Sequence, residues 1–240
     1  MTLLRIDRVT KRFGGLIAVD NVDMSVAGGE IIGLIGPNGA GKTTVFNLVS
    51  GFLRPDEGNI TFDQVSVVGM APHAICHLGM SRTFQIMKPF PEMSVLDNVM
   101  MGAFRTMRKS KAAREKALDV LDRLDFSDWA HRRAGDLPVA GRKRLEIAKV
   151  LATEPKLVML DEVMAGLTPS EHNSMIDTVR LIRDGGITIV IIEHVMPIIM
   201  NLSDRVYVLH HGRMIANGTP GQIANDPAVV EAYLGEDMVL

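Results

Sequence analysis

Residues 31–43 read Ile-Ile-Gly-Leu-Ile-Gly-Pro-Asn-Gly-Ala-Gly-Lys-Thr, an apolar run followed at Gly36 by the pattern G-x-x-x-x-G-K-[ST]. The run has the length and composition of a buried strand, and the pattern that follows it is a phosphate-binding loop. Gly36, Gly39 and Gly41 let the backbone curl until successive N–H groups point inward, and a helix starting near Lys42 turns its positive end toward the same anion. A nucleoside triphosphate fits such a cradle. Lys42 reaches for the β- and γ-phosphates, and the Thr43 hydroxyl is placed to ligate the Mg²⁺ that bridges them. Pro37, Asn38, Ala40 and Thr44 complete the loop. The competing reading, a glycine-rich turn with an incidental lysine, leaves the strand before it and the helix after it without a purpose.

A second apolar run, Leu157-Val158-Met159-Leu160, ends in Asp161-Glu162. This is the form of a central parallel strand that delivers two carboxylates at its C-terminal edge, where α/β sheets bind their ligands. Asp161 is expected to hold Mg²⁺ through water, and Glu162 to act as general base on the attacking water. Standing alone, such a pair could be a solvated strand end. Beside a phosphate loop it is a candidate catalytic edge.

Composition narrows the classes that remain. The chain has 240 residues, 47% hydrophobic and 22% charged, which suits one compact domain or a core with an inserted subdomain. Its 26 basic and 28 acidic residues leave a net charge of −2, so no nucleic-acid partner is expected. The single Cys76 excludes an intrachain disulfide and a cysteine metal site. No signal peptide is expected, since charge arrives at Arg5 before any long apolar stretch. The longest apolar window, 187–200, is cut by Glu193-His194 and Pro197 and is too short to span a bilayer, so the chain is expected to be soluble in itself.

Periodicity gives the organisation. The N-terminal segment alternates (Leu4, Ile6; then Val22, Met24, Val26) between turns at Phe13-Gly14-Gly15 and Ala27-Gly28-Gly29, and 58–62 adds another short strand. From about 94 to 151 the pattern becomes helical, with Ala117, Leu121 and Leu124 on one face and Leu145, Ala148 and Leu151 on another. Strands return at 157–160, 187–192 and 205–209 around a helix at 170–183. The expected fold class is α/β: a P-loop NTPase core with a parallel sheet, a small N-terminal antiparallel β subdomain and an inserted helical subdomain at about 94–151, all within one domain spanning 1–240.

The order of phosphate loop, Gln85, helical insert, Leu160-Asp161-Glu162, Gly166-Leu167-Thr168-Pro169 and Glu193-His194 resembles the nucleotide-binding subunit of an ABC transporter over essentially the whole chain. Within that family it is most similar to the ATPases of branched-chain amino-acid importers, through Arg82-Thr83-Phe84-Gln85, Glu162-Val163-Met164-Ala165-Gly166-Leu167, Ile192-Glu193-His194-Val195-Met196 and Ala232-Tyr233-Leu234-Gly235-Glu236. Tyr-Leu-Gly-Glu-Asp near the C-terminus also occurs in the lipopolysaccharide-export ATPase, which stands as an alternative. A soluble ABC ATPase driving another machine, such as DNA repair or translation, is the second; the absence of a long coiled-coil insert, a tandem cassette or a basic surplus speaks against it.

The resemblance implies further roles. Phe13 would stack on adenine, with core packing as the competing reading. Gln85 would touch Mg²⁺ and move with the membrane partner, and His194 would contact the γ-phosphate and hold the water that Glu162 activates. Segment 86–93 would meet the coupling helix of the permease. Arg105, Arg108, Lys109, Lys111 and Arg114 read as a solvated helix face rather than a lipid site. The implied partners are transmembrane permease subunits, a second ATPase subunit facing this one head to tail, and indirectly a solute-binding protein, at the cytoplasmic face of the inner membrane. One motif departs from the family. Its Leu-Ser-Gly-Gly-Gln falls here on Leu137-Pro138-Val139-Ala140-Gly141, so the serine hydroxyl is absent and the contribution of this chain to its partner's ATP is expected to be weakened.

Overall fold

In the computed structural model, residues 1–84 and 89–237 are described. Their elements in chain order are β1 (Thr2–Phe13), β2 (Leu16–Ala27), β3 (Ile31–Ile35), α1 (Lys42–Val49), β4 (Glu57–Phe62), β5 (Val65–Ser66), α2 (Pro72–Leu78), β6 (Met80–Arg82), α3 (Val95–Ala103), α4 (Ser110–Arg123), α5 (Val139–Leu151), β7 (Leu157–Asp161), α6 (Pro169–Asp184), β8 (Thr188–Ile192), α7 (Met196–Leu202), β9 (Arg205–His210), β10 (Arg213–Gly218), α8 (Pro220–Ile223) and α9 (Pro227–Asp237).

The apolar runs form the centre of a six-stranded sheet of order β10-β9-β3-β8-β7-β6, parallel except for the β9/β10 pair. Every residue of β3, β7 and β8 is buried, because both faces of the sheet are covered and neither needs polar side chains. Alternation along the strands divides them between two cores. Ile31, Val158, Leu160, Ile189, Ile191, Val206 and Val208 face the side of α3 to α7, while Ile32, Leu34, Leu157, Met159, Val190, Ile192, Tyr207 and Leu209 face α1 and the second sheet. That second sheet has the order β2-β1-β4-β5 and is antiparallel throughout. Its inward residues Leu4, Ile6, Val22, Met24, Val26, Ile60 and Phe62 meet Val45, Phe46, Leu48 and Val49 of α1, so α1 lies between two sheets. Phe46 and Phe62 are fully buried in this layer, and truncating either to Ala is expected to cost about 3–5 kcal/mol.

Helices α3, α4 and α5 pack on one another, with Ala117 and Leu121 of α4 and Leu145, Ala148 and Leu151 of α5 turned into the core. The basic stretch departs from the sequence expectation at one point. Arg108, Lys109, Lys111 and Arg114 are exposed, but Arg105 donates to the backbone carbonyls of Cys76, His77 and Thr153, tying α3 to α2 and to the end of α5. Among the described residues no helix is long and apolar enough to cross a membrane.

Candidate functional site

The site lies at the C-terminal edge of the parallel sheet, where the segments after β3, β7, β8 and β9 converge. The loop after β3 is shaped by glycines with no room for a side chain. Gly36 (φ 148) would place a Cβ 1.9 Å from the Leu209 carbonyl oxygen, and Gly41 (φ 107) would place one 2.4 Å from the Ala18 carbonyl oxygen. Gly41 is also the N-cap of α1 and supplies no side-chain cap, so the first-turn N–H groups of α1 remain directed at the loop's concavity. Lys42 is buried, and its ammonium donates to the Gly36 carbonyl at 2.6 Å and to the Pro37 carbonyl at 2.7 Å. The lysine thus braces the loop across its mouth.

A cavity of about 450 Å³ opens above this loop. It is lined by Asn38, Gly39, Ala40, Gly41, Lys42, Thr43 and Thr44 on one side, by Glu162 and His194 on another, and by Phe13 with Leu16, Ile17 and Ala18 from the β1–β2 hairpin. Phe13 is 46% exposed, which removes the core-packing reading and leaves an open ring at the cavity mouth. His194 Nε2 lies 2.9 Å from Glu162 Oε1, where the imidazole N–H can donate to the carboxylate. Gly36 and Pro37 form the loop's base rather than the cavity wall. Gln85 lies outside the described residues, as do 86–88 of the segment expected to meet a permease. His211 and Gly212, at the end of β9, complete the wall and were not anticipated; Gly212 is joined to the loop by its N–H to the Ala40 carbonyl at 2.9 Å.

Asp161 is buried and turned toward a second cavity, of about 850 Å³, which Thr43 also borders. Arg82 Nη2 donates to Asp161 Oδ2 at 3.0 Å, while Nη1 donates to Asn47 Oδ1 on α1 at 2.8 Å and to Oγ of Ser50, which caps the end of α1, at 3.0 Å. The same guanidinium stands 4.8 Å from the Phe84 ring centre and 5.7 Å from those of Phe46 and Phe52. Burial raises the Asp161 carboxyl above its ordinary range and Arg82 opposes that rise, while burial lowers Arg82 against the pull of Asp161. The sequence marks Arg82 only as a member of the Arg82-Thr83-Phe84-Gln85 string; its pairing with Asp161 and α1 emerges only when the folded chain brings β6, α1 and β7 together.

The turn after β7 is supported from behind. Glu162 has a left-handed backbone, φ 50, and donates its N–H to the Ile192 carbonyl at 3.0 Å. Glu193 is buried and accepts the Met164 N–H at 2.8 Å; desolvation raises its carboxyl to about 7, against the Met164 N–H and Lys143. Lys143, also buried, is lowered by desolvation and faces Glu193, Glu162 and Asp161.

The donor set suits a triphosphate with a hard cation. Loop N–H groups and Lys42 supply positive charge, and Thr43 and Asp161 supply oxygen ligands of the kind Mg²⁺ takes when phosphates complete its shell. Among the described residues no group of three or more His, Cys, Asp or Glu could hold a metal without such help.

The chain is similar to known proteins over nearly its whole length. Residues 19–165 match the family model described as ABC transporter, and 213–239 match one described as branched-chain amino acid ATP-binding cassette transporter. The high-affinity branched-chain amino acid transport ATP-binding protein LivG of Salmonella typhimurium is 41% identical over 98% of both chains. BraF of Pseudomonas aeruginosa, carrying the same description, is 38% identical over 98% of both. Among solved structures, the ADP conformation of MJ1267, an ATP-binding cassette of an ABC transporter, superposes with a TM-score of 0.89 at 35% identity, covering 98% of this chain and 99% of that one.

Proposed function

The chain belongs to the ABC transporter family as one of its ATP-binding cassettes, an ATPase, and we propose that it energises an importer of branched-chain or related amino acids. The observation that carries the catalytic part is the cavity that gathers residues 38–44, Phe13 and the hydrogen-bonded pair Glu162–His194 around one volume. In this reading Phe13 stacks on the adenine, and the 36–44 loop, through the N–H groups of 38–44 together with Lys42, holds the phosphates. Glu162 takes the proton of the attacking water, and His194 fixes that carboxylate and meets the γ-phosphate. Thr43, Asp161 and Gln85 would hold Mg²⁺, which when bound neutralises charge shared by the β- and γ-phosphates. Residues 94–151 are read as the helical subdomain, within a single nucleotide-binding domain.

The partners follow from the same reading. A permease segment would dock at the cavity of about 850 Å³, whose wall includes Phe52, Phe84 and Met101. A second cassette would face this one head to tail at the cytoplasmic side of the inner membrane, with a solute-binding protein acting through the permeases. The relatives named for branched-chain amino acids match over nearly the full chain, which favours this reading over lipopolysaccharide export or a soluble machine.

The test separates binding from chemistry. Glu162→Gln should bind Mg-ATP with the parent's affinity, hydrolyse it more slowly by roughly a hundredfold or more, and accumulate as a closed dimer. His194→Ala should lose hydrolysis as well. Normal turnover in Glu162→Gln places the base elsewhere.

A further inference from the structure

A residue with a β-carbon in the left-handed region persists only where its surroundings hold it there, and Glu162, at φ 50, is such a residue at the centre of the site. Its restraints come from two parts of the molecule. From the sheet edge, Ile192 accepts the Glu162 N–H at 3.0 Å, and Glu193 accepts the N–H of Met164 at 2.8 Å. From the helical side, the Lys143 ammonium donates to the Glu162 carbonyl at 2.6 Å. Lys143 belongs to α5, whose first turn is the altered Val139-Ala140-Gly141 segment. Only 6% of Lys143 is exposed, and burying an ammonium is costly unless its donors are used. An aliphatic residue would fill the same volume without that cost, so core packing does not explain a lysine here.

We infer that Lys143 is a positioning residue for hydrolysis: its ammonium clamps the Glu162 carbonyl, fixes the aim of the Glu162 carboxylate toward the cavity, and ties this chain's base to the helix whose first turn faces the second cassette. This rests on the reading of Glu162 as base. The clamp acts on the peptide rather than on the carboxylate, so it sets direction without occupying the oxygens that meet His194 and water. It also makes a displacement of α5 felt at Glu162 of the same chain. Closure of the dimer over one nucleotide thereby reaches the chemistry of the other.

The experiment compares the full chain carrying Lys143→Met, which keeps length and burial but loses the donor, with Lys143→Arg, which keeps a donor of similar reach. Steady-state ATPase, affinity for a non-hydrolysable ATP analogue, and melting temperature are measured for each. The expected result is a fall in kcat of about tenfold to a hundredfold in Lys143→Met at unchanged analogue affinity, with most of the activity kept in Lys143→Arg. Should Lys143→Met fail to fold, Lys143→Gln, with a donor on a shorter arm, carries the same expectation. Unchanged kcat in the Met and Gln variants overturns the inference. So does a loss of kcat matched by an equal loss of affinity and shared by Lys143→Arg, since that marks a structural role. Glu162→Gln run alongside keeps the readings apart: if it hydrolyses normally the base assignment fails, and if it is inactive while Lys143→Met is normal, only the clamp fails.

Discussion

Glu193→Gln tests how the turn behind the catalytic edge is stabilised. Glu193 is 3% exposed and its carboxyl is raised by burial from 4.5 to about 7, so the folded state holds a proton that the unfolded chain releases earlier. Below about pH 4.5 both states are protonated and the group is neutral in its effect. As pH rises toward about 7 the unfolded chain ionises first and folding loses stability; above that the loss is complete. The gap between 4.5 and about 7, at about 1.4 kcal/mol per unit, sets the loss at about 3–4 kcal/mol. Gln keeps an oxygen to accept the Met164 N–H and removes the titration. Thermal unfolding of both nucleotide-free proteins from about pH 5 to about pH 8 should therefore show the parent falling behind Glu193→Gln by about 6–12 °C across the window. A difference in melting temperature that stays constant with pH refutes the reasoning. A parent that gains on the variant as pH rises would mean that Glu193 is ionised against Lys143 in the native state.

Lys42→Ala should weaken ATP binding by roughly a hundredfold and abolish turnover, because one well-placed charge on a triphosphate is worth several kcal/mol; unchanged affinity by titration removes the claim. Phe13→Ala should raise the ATP dissociation constant about tenfold while leaving the melting temperature and the affinity for inorganic triphosphate alone, since a ring that is 46% exposed contributes to the ligand and little to the core. With segment 137–141 altered, the chain alone should show low ATPase activity that rises when a paralogue with an intact signature faces its phosphate loop. In that pairing the lysine mutation here should cost more than its counterpart in the partner, and equal losses or a vigorous homodimer would remove the asymmetry.

The parts of the site that were legible in the sequence are those whose chemistry is local. A phosphate loop is a run of neighbours, and Gly36 and Gly41 announce themselves because no other residue tolerates the closeness of Leu209 and Ala18. Strands β3, β7 and β8 were legible because full burial on two faces leaves an unbroken apolar run. The short β6 was not, since Met80-Ser81-Arg82 has too few residues to show a period. Arg82 and Glu193 were visible in the sequence only as members of resemblance strings, and Lys143 not at all; Lys143 and Glu193 are buried, and the Arg82 side chain enclosed, by contacts with distant segments, and charge type says nothing about which segment arrives. Arg105 went wrong for the same reason: its place in a basic stretch suggested solvent, while its partners are three carbonyls on other elements.

The altered signature separates two contributions that the usual motif combines. Pro138 is the N-cap of α5, at φ −64 and ψ 170, and it offers no side-chain cap. The first N–H to bond within the helix frame is that of Arg142, to the Pro138 carbonyl at 2.9 Å, so the N–H groups of Val139, Ala140 and Gly141 keep the outward direction of a first helical turn. Proline at 138 thus removes a hydroxyl and its own N–H but leaves the turn that follows. Val139 is exposed and Ala140 partly so, which puts their β-carbons at the surface a facing phosphate would approach. What is lost is one hydrogen bond to a charged group and some closeness of approach; what is kept is the positive end of a helix. A hydrogen bond of that kind is worth about 1.5–3 kcal/mol, or roughly tenfold to a hundredfold in rate. The asymmetry between two such sites should therefore be a graded deficit within that range, and a partner site that is wholly inactive against this segment would require a second defect.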